Sequence, residues 1–273
     1  MSRRGVQAID TTLTALACDV LSTAEPAAKI SAGRAAAAAW RQGNVTAIGD
    51  SRPPARPARP ERPQLRRPGD MAKRSTAGRR GRIALLHAIA HIELNAIDLA
   101  WDLIARFATP DLPTAFLDDW VGVAEDEGRH FELLAARLAQ LDAAYGDLPA
   151  HDGLWQAAED TAGDLAARLA VVPMLLEARG LDVTPATVGR LRQASDSASA
   201  DLLALICEEE IAHVAAGRRW FEWLCQRRNL DPIGHWRHLV ARHFKGQLKP
   251  PFNEAARARA GLTADYYANW RGG

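Results

Sequence analysis

The chain is poor in cysteine and in aromatic residues, and it carries no excess of charge of either sign. Its three cysteines, Cys18, Cys207 and Cys225, form no CxxC pair. An odd, scattered set provides no disulfide framework and no four-cysteine iron site, and it fits a reducing, cytoplasmic setting. A formal net charge of +1 excludes a strong global field towards nucleic acid or a membrane surface. Aromatic residues make up 6% of the chain and alanine is abundant, which favours helix over sheet. No uninterrupted run of about 18 apolar residues is present, so no membrane span is expected. The start, Met1-Ser2-Arg3-Arg4, is basic. The apolar run from Leu13 to Leu21 is broken by Thr14, Cys18 and Asp19 and has no clean cleavage site, which argues against a signal peptide.

What is present divides into four stretches, within a length of 273 residues that suits one large core with appendages. Residues 1–48 read as an N-terminal helical segment, with Leu13, Leu16, Ala17 and Leu21 on one face and a second helical run at Ala35–Trp40. Residues 49–81 hold Pro53, Pro54, Pro57, Pro60, Pro63 and Pro68 among many arginines. That density of proline forbids helix and predicts an extended linker or strap. No aromatic residue interleaves with the arginines, so nucleic acid is not the expected partner. Residues 82–228 are strongly helical, in segments 82–107, 114–142, 155–180 and 195–228. Gly180 reads as a helix cap and Pro185 as part of the connection that follows. Residues 229–273 form a C-terminal extension expected to pack on the helices, and its His235, His238 and His243 read as a basic surface.

The four long helices carry apolar stripes at the three-and-four spacing. The first runs Leu86, Ala90, Glu93, Ile97, Ala100 and Ile104. The second runs Trp120, Val123, Glu127, His130, Leu134 and Leu138. The third gives Ala166, Ala170, Pro173 and Glu177, and the fourth Leu203, Ile206, Glu210, His213, Gly217, Trp220 and Leu224. Each stripe is apolar except at one level. There two helices carry a lone glutamate and two carry Glu-x-x-His. Ionised carboxylates gathered in an apolar core cost many kcal/mol unless paired or metal-bound. Two divalent cations would balance four of them, and this ligand set is the dimetal carboxylate pattern of helical bundles. Glu93 and Glu127 are 34 residues apart, and Glu177 and Glu210 are 33 apart, as two copies of one helical hairpin would be. Asp126 and Glu209 precede the two Glu-x-x-His motifs. Each can accept a hydrogen bond from the histidine of the opposite helix. The remaining choice, Glu210 over Glu209 as ligand, rests on the three-residue step to His213.

Asp126-Glu127-x-Arg129-His130 resembles the Asp-Glu-x-Arg-His motif of bacterial di-iron monooxygenases. From about Arg82 to Arg228 the chain resembles the bacterial ferritin-like family known as domain of unknown function 455. The resemblance is carried by His87–Asp98 (His-Ala-Ile-Ala-His-Ile-Glu-Leu-Asn-Ala-Ile-Asp), by Tyr145–Trp155 (Tyr-Gly-Asp-Leu-Pro-Ala-His-Asp-Gly-Leu-Trp) and by Leu176–Pro185 (Leu-Glu-Ala-Arg-Gly-Leu-Asp-Val-Thr-Pro). It implies a ferritin-like fold and the ligands Glu93, Glu127, His130, Glu177, Glu210 and His213, and it implies no substrate. The fourth helix departs from the pattern in having Glu209 where an aspartate is usual.

These readings predict an all-α protein: a ferritin-like four-helix bundle with a dimetal centre, extra N-terminal helices, a Pro/Arg-rich strap and a C-terminal extension. Two metal ions are expected, iron first, with manganese or a mixed Mn/Fe pair also compatible with the donors. The expected activity is an oxygen- or peroxide-dependent oxidoreductase, a hydroxylase or oxidase, on a small or nucleoside-like substrate with an unassigned electron donor. A ferroxidase or iron-handling role, and a metal-stabilised binding protein without turnover, stand as alternatives. Hydroxylation of a modified base in transfer RNA is a related option to which only the basic strap points. A homodimer is the default assembly. His87 and His91 read as hydrogen-bonded structural residues, with His151 near the mouth of the site. The three tyrosines, Tyr145, Tyr266 and Tyr267, lie outside the stripes, which argues against a radical-storing tyrosine.

Overall fold

The structure is a computed structural model that describes residues 11–71 and 73–268. The basic start at Met1–Arg4 lies outside them, as does the end of the chain from Asn269. Among the described residues the protein is helical and has no strand; one isolated bridge joins Leu65 to Ala150. The helices are α1 (Leu13–Leu21), α2 (Pro26–Arg41), α3 (Arg79–Phe107), α4 (Thr114–Ala139), α5 (Gly153–Asp160), α6 (Leu165–Val171), α7 (Ala178–Gln193), α8 (Ser197–Arg227), α9 (Pro232–His243), α10 (Glu254–Arg259) and α11 (Ala264–Tyr267). A π-turn, Val172–Glu177, joins α6 to α7. Side-chain caps mark several starts. Thr12 accepts from the Ala15 amide, Asp164 from Ala166, Asp196 from Ser199 and Asp231 from Gly234.

The chain divides into two compact units, one formed by residues up to Pro60 with Ala100–Glu125, the other by Glu61–Leu99 with Asp126–Gly273. The first buries Leu13, Ala17 and Leu21 of α1, Ile30 and Ala37 of α2, Trp101 of α3 and Phe116 and Trp120 of α4. Gly33 lets α2 approach Trp101 closely, since a Cβ there would lie 3.2 Å from the indole nitrogen. The early prolines follow α1, with the Ala58 amide bonded to the Leu21 carbonyl at 2.7 Å.

The second unit holds the sequence-predicted site. The later part of the proline-rich segment pairs with the loop before α5: the Arg66 amide donates to the Ala150 carbonyl (2.8 Å) and the Ala150 amide to the Gln64 carbonyl (3.0 Å). Leu99 of α3 packs with Trp155 and Ala158 of α5 and Val172 of the π-turn.

The expected third helix, 155–180, differs most from the structure. It is broken at Thr161–Asp164 and widened to a π-turn at Pro173, and it then continues through Gly180 to Gln193. Pro173 has no amide proton to give an ordinary helical bond, and a π-turn is one way a helix absorbs that loss. Pro185 sits inside α7. Its missing amide frees the carbonyl of Leu181, which instead accepts from Asn253 Nδ2 at 3.1 Å. Likewise Trp236 of α9 donates its indole N–H to the Ala170 carbonyl, just before the π-turn, at 3.2 Å. Segments late in the chain therefore satisfy backbone groups exposed at the irregular turns. His235 also departs from the expected basic surface: it is half-buried and stacks on Phe221, with ring centroids 5.8 Å apart.

By length and composition alone α3 could cross a membrane, with a mean hydropathy of 1.4 over its most apolar window. That window is 72% buried inside the protein, as in the core helix of a globular domain.

Candidate metal centre

Four helical segments deliver the acidic level read from the sequence. Glu93 comes from α3, Asp126, Glu127 and His130 from α4, Glu177 from the π-turn, and Glu209, Glu210 and His213 from α8. Glu93, Glu127 and both histidines are at most 5% exposed. One ligand atom from each of Glu93, Glu127, His130 and Glu210 lies within 4.8 Å of the others, a group that could hold a metal ion. Glu177 faces the same cavity as Glu93, Glu127 and Glu210.

The two Glu-x-x-His motifs face each other as a crossed pair. His130 turns Nδ1 towards Glu93 (3.3 Å), Glu210 (3.5 Å) and Glu127 (3.7 Å), and Nε2 towards Glu209 (2.8 Å). His213 turns Nδ1 towards Glu127 (3.1 Å) and Glu210 (3.3 Å), and Nε2 towards Asp126 (3.4 Å). Each ring therefore directs one nitrogen into the carboxylate cluster and the other at an acid from the opposite helix. Glu127 and Glu210 approach both Nδ1 atoms. Arg129 ties the outer acids together, donating to Asp126 at 3.0 Å and Glu209 at 2.8 Å. The hydrogen bond from His213, joined by those from Arg129, holds Asp126 down to about 2 despite partial burial.

The inner carboxylates feel opposing forces. Burial, then the charge of Glu127, raises Glu93 well above the usual carboxylate range. Burial and the charges of Glu210 and Glu127 do the same to Glu177. For Glu127 burial also opposes ionisation, but the close imidazoles of His130 and His213 outweigh it and lower its pKa. Burial alone would lower His130, yet the surrounding glutamates push it up to about 12. The protein on its own thus holds four carboxylates near two imidazoles without enough positive charge to satisfy them. Glu127 Oε2, Glu177 Oε2 and His213 Nδ1 are buried with no hydrogen-bond partner among the described residues. Buried oxygen and nitrogen atoms left without a partner beside such a group could serve as further donors to a cation.

The family described as "Protein of unknown function (DUF455)" matches residues 22–268. The chain belongs to this family. A relative of this DUF455 protein in Haemophilus influenzae, titled "Uncharacterized protein", is 43% identical over 201 residues, covering 72% of this chain and 70% of the relative. No solved structure matches the chain.

Other polar groups of the DUF455 chain gather around His91. His91 Nδ1 bonds the hydroxyl of Tyr145 at 2.8 Å, and its Nε2 lies 3.1 Å from both the His151 carbonyl and Asn95 Nδ2. His87 Nε2 accepts from the Gly146 amide at 3.0 Å and its ring stacks on Tyr145. Gly146 adopts a φ of 104°, a conformation open to glycine. Tyr145 also packs edge-on against Phe131, next to His130. Its position in the sequence, outside every stripe, concealed these contacts, because a turn rather than a helix carries it against α3 and α4. Arg129 was visible only as a motif letter. The crossed pairing of α4 and α8 assigns it a contact.

Proposed function

We propose that the chain is a dimetal carboxylate protein with a ferritin-like four-helix core, and that it acts as an oxygen- or peroxide-dependent oxidoreductase on an organic substrate. The observation that carries this reading is the set of orphaned buried donors on Glu127, Glu177 and His213 within one cluster. Glu93, Glu127, His130, Glu177, Glu210 and His213 would hold the ions, with Glu127 and Glu210 as the shared ligands because each approaches both histidines. Iron is the first expectation, and manganese suits the same donors. A pair of redox-active ions would supply electron transfer to oxygen or peroxide. The residues of the chain contribute the rest. Glu209 and Asp126 orient the imidazoles, and the apolar helices keep water away from the carboxylates.

A cavity of about 290 Å³ opens beside the carboxylates, and its lining favours a substrate-using oxidoreductase over iron handling alone. Elemental analysis of protein produced with ample iron and manganese tests the reading, combined with absorption spectra before and after oxygen exposure. About two ions per chain and an oxygen-dependent spectral change are expected, as the two-by-two ligand symmetry requires. Glu127→Ala should lose most of the metal. A chain that takes up no metal after careful reconstitution would return the six residues to a polar helix core.

A further inference from the structure

The cavity beside the cluster has two chemically distinct ends. Its floor is formed by Glu93, Glu127, Glu177 and Glu210. Its walls are apolar, with Leu85, Ile89 and Ile92 from α3, Val183 from α7 and Leu203 and Ile206 from α8. Ile92 and Val183 are 43% and 40% exposed although they line the cavity, which sets them at its mouth. Large apolar side chains left in water around an opening mark a place where an apolar ligand enters.

The mouth also carries a cation. Arg74, from the end of the proline-rich segment, lines this cavity and is exposed. It lines a second, smaller cavity of about 40 Å³ together with His87, His91 and His151. Its charge reaches His151, where, after burial, it disfavours the imidazolium. The other arginine of the large cavity, Arg179, is committed elsewhere. Its Nη1 donates to the carbonyls of Lys249 (2.7 Å) and Pro251 (2.9 Å) and lies 3.4 Å from Asp182. No carboxylate pairs with Arg74 among the described residues. A ligand anion on the floor would meet glutamates, whereas one at the mouth would meet a guanidinium with free donors.

We propose that the cavity binds an aliphatic carboxylate, its hydrocarbon chain between α3, α7 and α8 and its carboxylate on Arg74. The chain end then points at the glutamate cluster. This names the substrate class of the proposed oxidoreductase and rests on that reading only for the reactivity of the chain end; binding itself does not depend on it.

Isothermal titration of the full chain with decanoate, decanol and decyltrimethylammonium tests the assignment. Decanoate should bind saturably at one site per chain, decanol more weakly and the cationic amphiphile not at all. Arg74→Glu should weaken decanoate by about tenfold or more and leave decanol unchanged, since a charge-assisted hydrogen bond is worth that factor. Val183→Asp, at a half-exposed position that does not threaten folding, should abolish both. Circular dichroism confirms that each variant is folded. Equal binding of decanoate and decanol, or decanoate binding that survives Arg74→Glu, overturns the headgroup assignment. No saturable binding of any amphiphile overturns the site. Metal content measured on the same samples separates the two readings. A chain that binds decanoate but holds no metal keeps the cavity and loses the dimetal centre.

Discussion

Nε2 of His130 lies 2.8 Å from Oε2 of Glu209, while Nδ1 of the same ring faces Glu93, Glu127 and Glu210. The acid belongs to α8 and the ring to α4, so the pairing exists only once the helices have packed. An acceptor at Nε2 keeps the proton there and leaves the Nδ1 lone pair for a cation. Glu209→Gln keeps the size but removes the charge. Metal affinity, read by competition with a chelator, should fall by about 10–100-fold. Affinity equal to the parent would leave Glu209 as a partner of Arg129 alone.

The contact between Gly217 and Pro173 governs how closely α8 approaches the π-turn. A Cβ at 217 would lie 2.4 Å from both Cβ and Cγ of Pro173. His213 is one helical turn before Gly217, and Glu177 one turn after Pro173, so the approach sets the spacing of two site residues. Gly217→Ala should cost about 1–3 kcal/mol through overpacking. Pro173→Ala in the same background should recover part of that loss in thermal unfolding. A Gly217→Ala protein as stable as the parent would show that the helices part freely.

Asp182 and Arg257 form a buried bidentate pair, with bonds of 2.8 and 2.7 Å, and both side chains are almost fully enclosed. Arg257 also lies over the rings of Tyr267 and Phe252 at 4.4 and 5.2 Å. Arg257→Ala leaves the buried Asp182 carboxylate with only the Asn253 amide at 2.9 Å and a long contact to Arg179, and should destabilise the protein by about 3 kcal/mol in urea. Asp182→Leu combined with Arg257→Met should restore much of it, because breaking a buried pair costs more than replacing it with apolar groups. A double variant no more stable than Arg257→Ala would contradict this account.

Asp196 begins α8. Its Oδ1 accepts from the Ser199 amide at 3.1 Å and from Arg137 at 2.8 Å, and Arg82 lies 3.5 Å from Oδ2. Burial opposes its ionisation, but these hydrogen bonds and the two arginines outweigh burial and lower its pKa from the ordinary 3.8. A depressed pKa means that the ionised group stabilises the fold above the ordinary value, and that this contribution is lost as pH falls through the folded value. Asp196→Ala should therefore cost about 1–2 kcal/mol near neutral pH. The gap from the parent should narrow below pH ~4. A gap independent of pH would assign the whole effect to the uncharged cap.

The local pattern of the chain determined a good deal. Three-and-four apolar spacing marked α3, α4 and α8 to within a few residues, and a lone polar level in each stripe singled out Glu93, Glu127, His130, Glu210 and His213. The three-residue step from glutamate to histidine needs nothing beyond helical geometry to place both on one face. Proline density marked residues 49–81 as extended for an equally local reason, although a short 3-10 turn spans Pro68–Asp70 and α3 already begins at Arg79.

What local pattern could not decide depended on partners distant in sequence. Gly180 and Pro185 carry ordinary stop signals, yet α7 runs through both. The carbonyl that Pro185 leaves unpaired at Leu181 is taken by Asn253, 72 positions away in the chain. Tyr145 meets His91 of α3 through a turn in which the Gly146 amide bonds His87. The cavity exists only in the space that α3, α4, the π-turn, α7 and α8 enclose together. Periodicity acts within one helix and was legible. Capping of a broken helix, the crossed pairing of histidines with acids and the shape of a cavity are properties of several segments at once, and packing alone decided them.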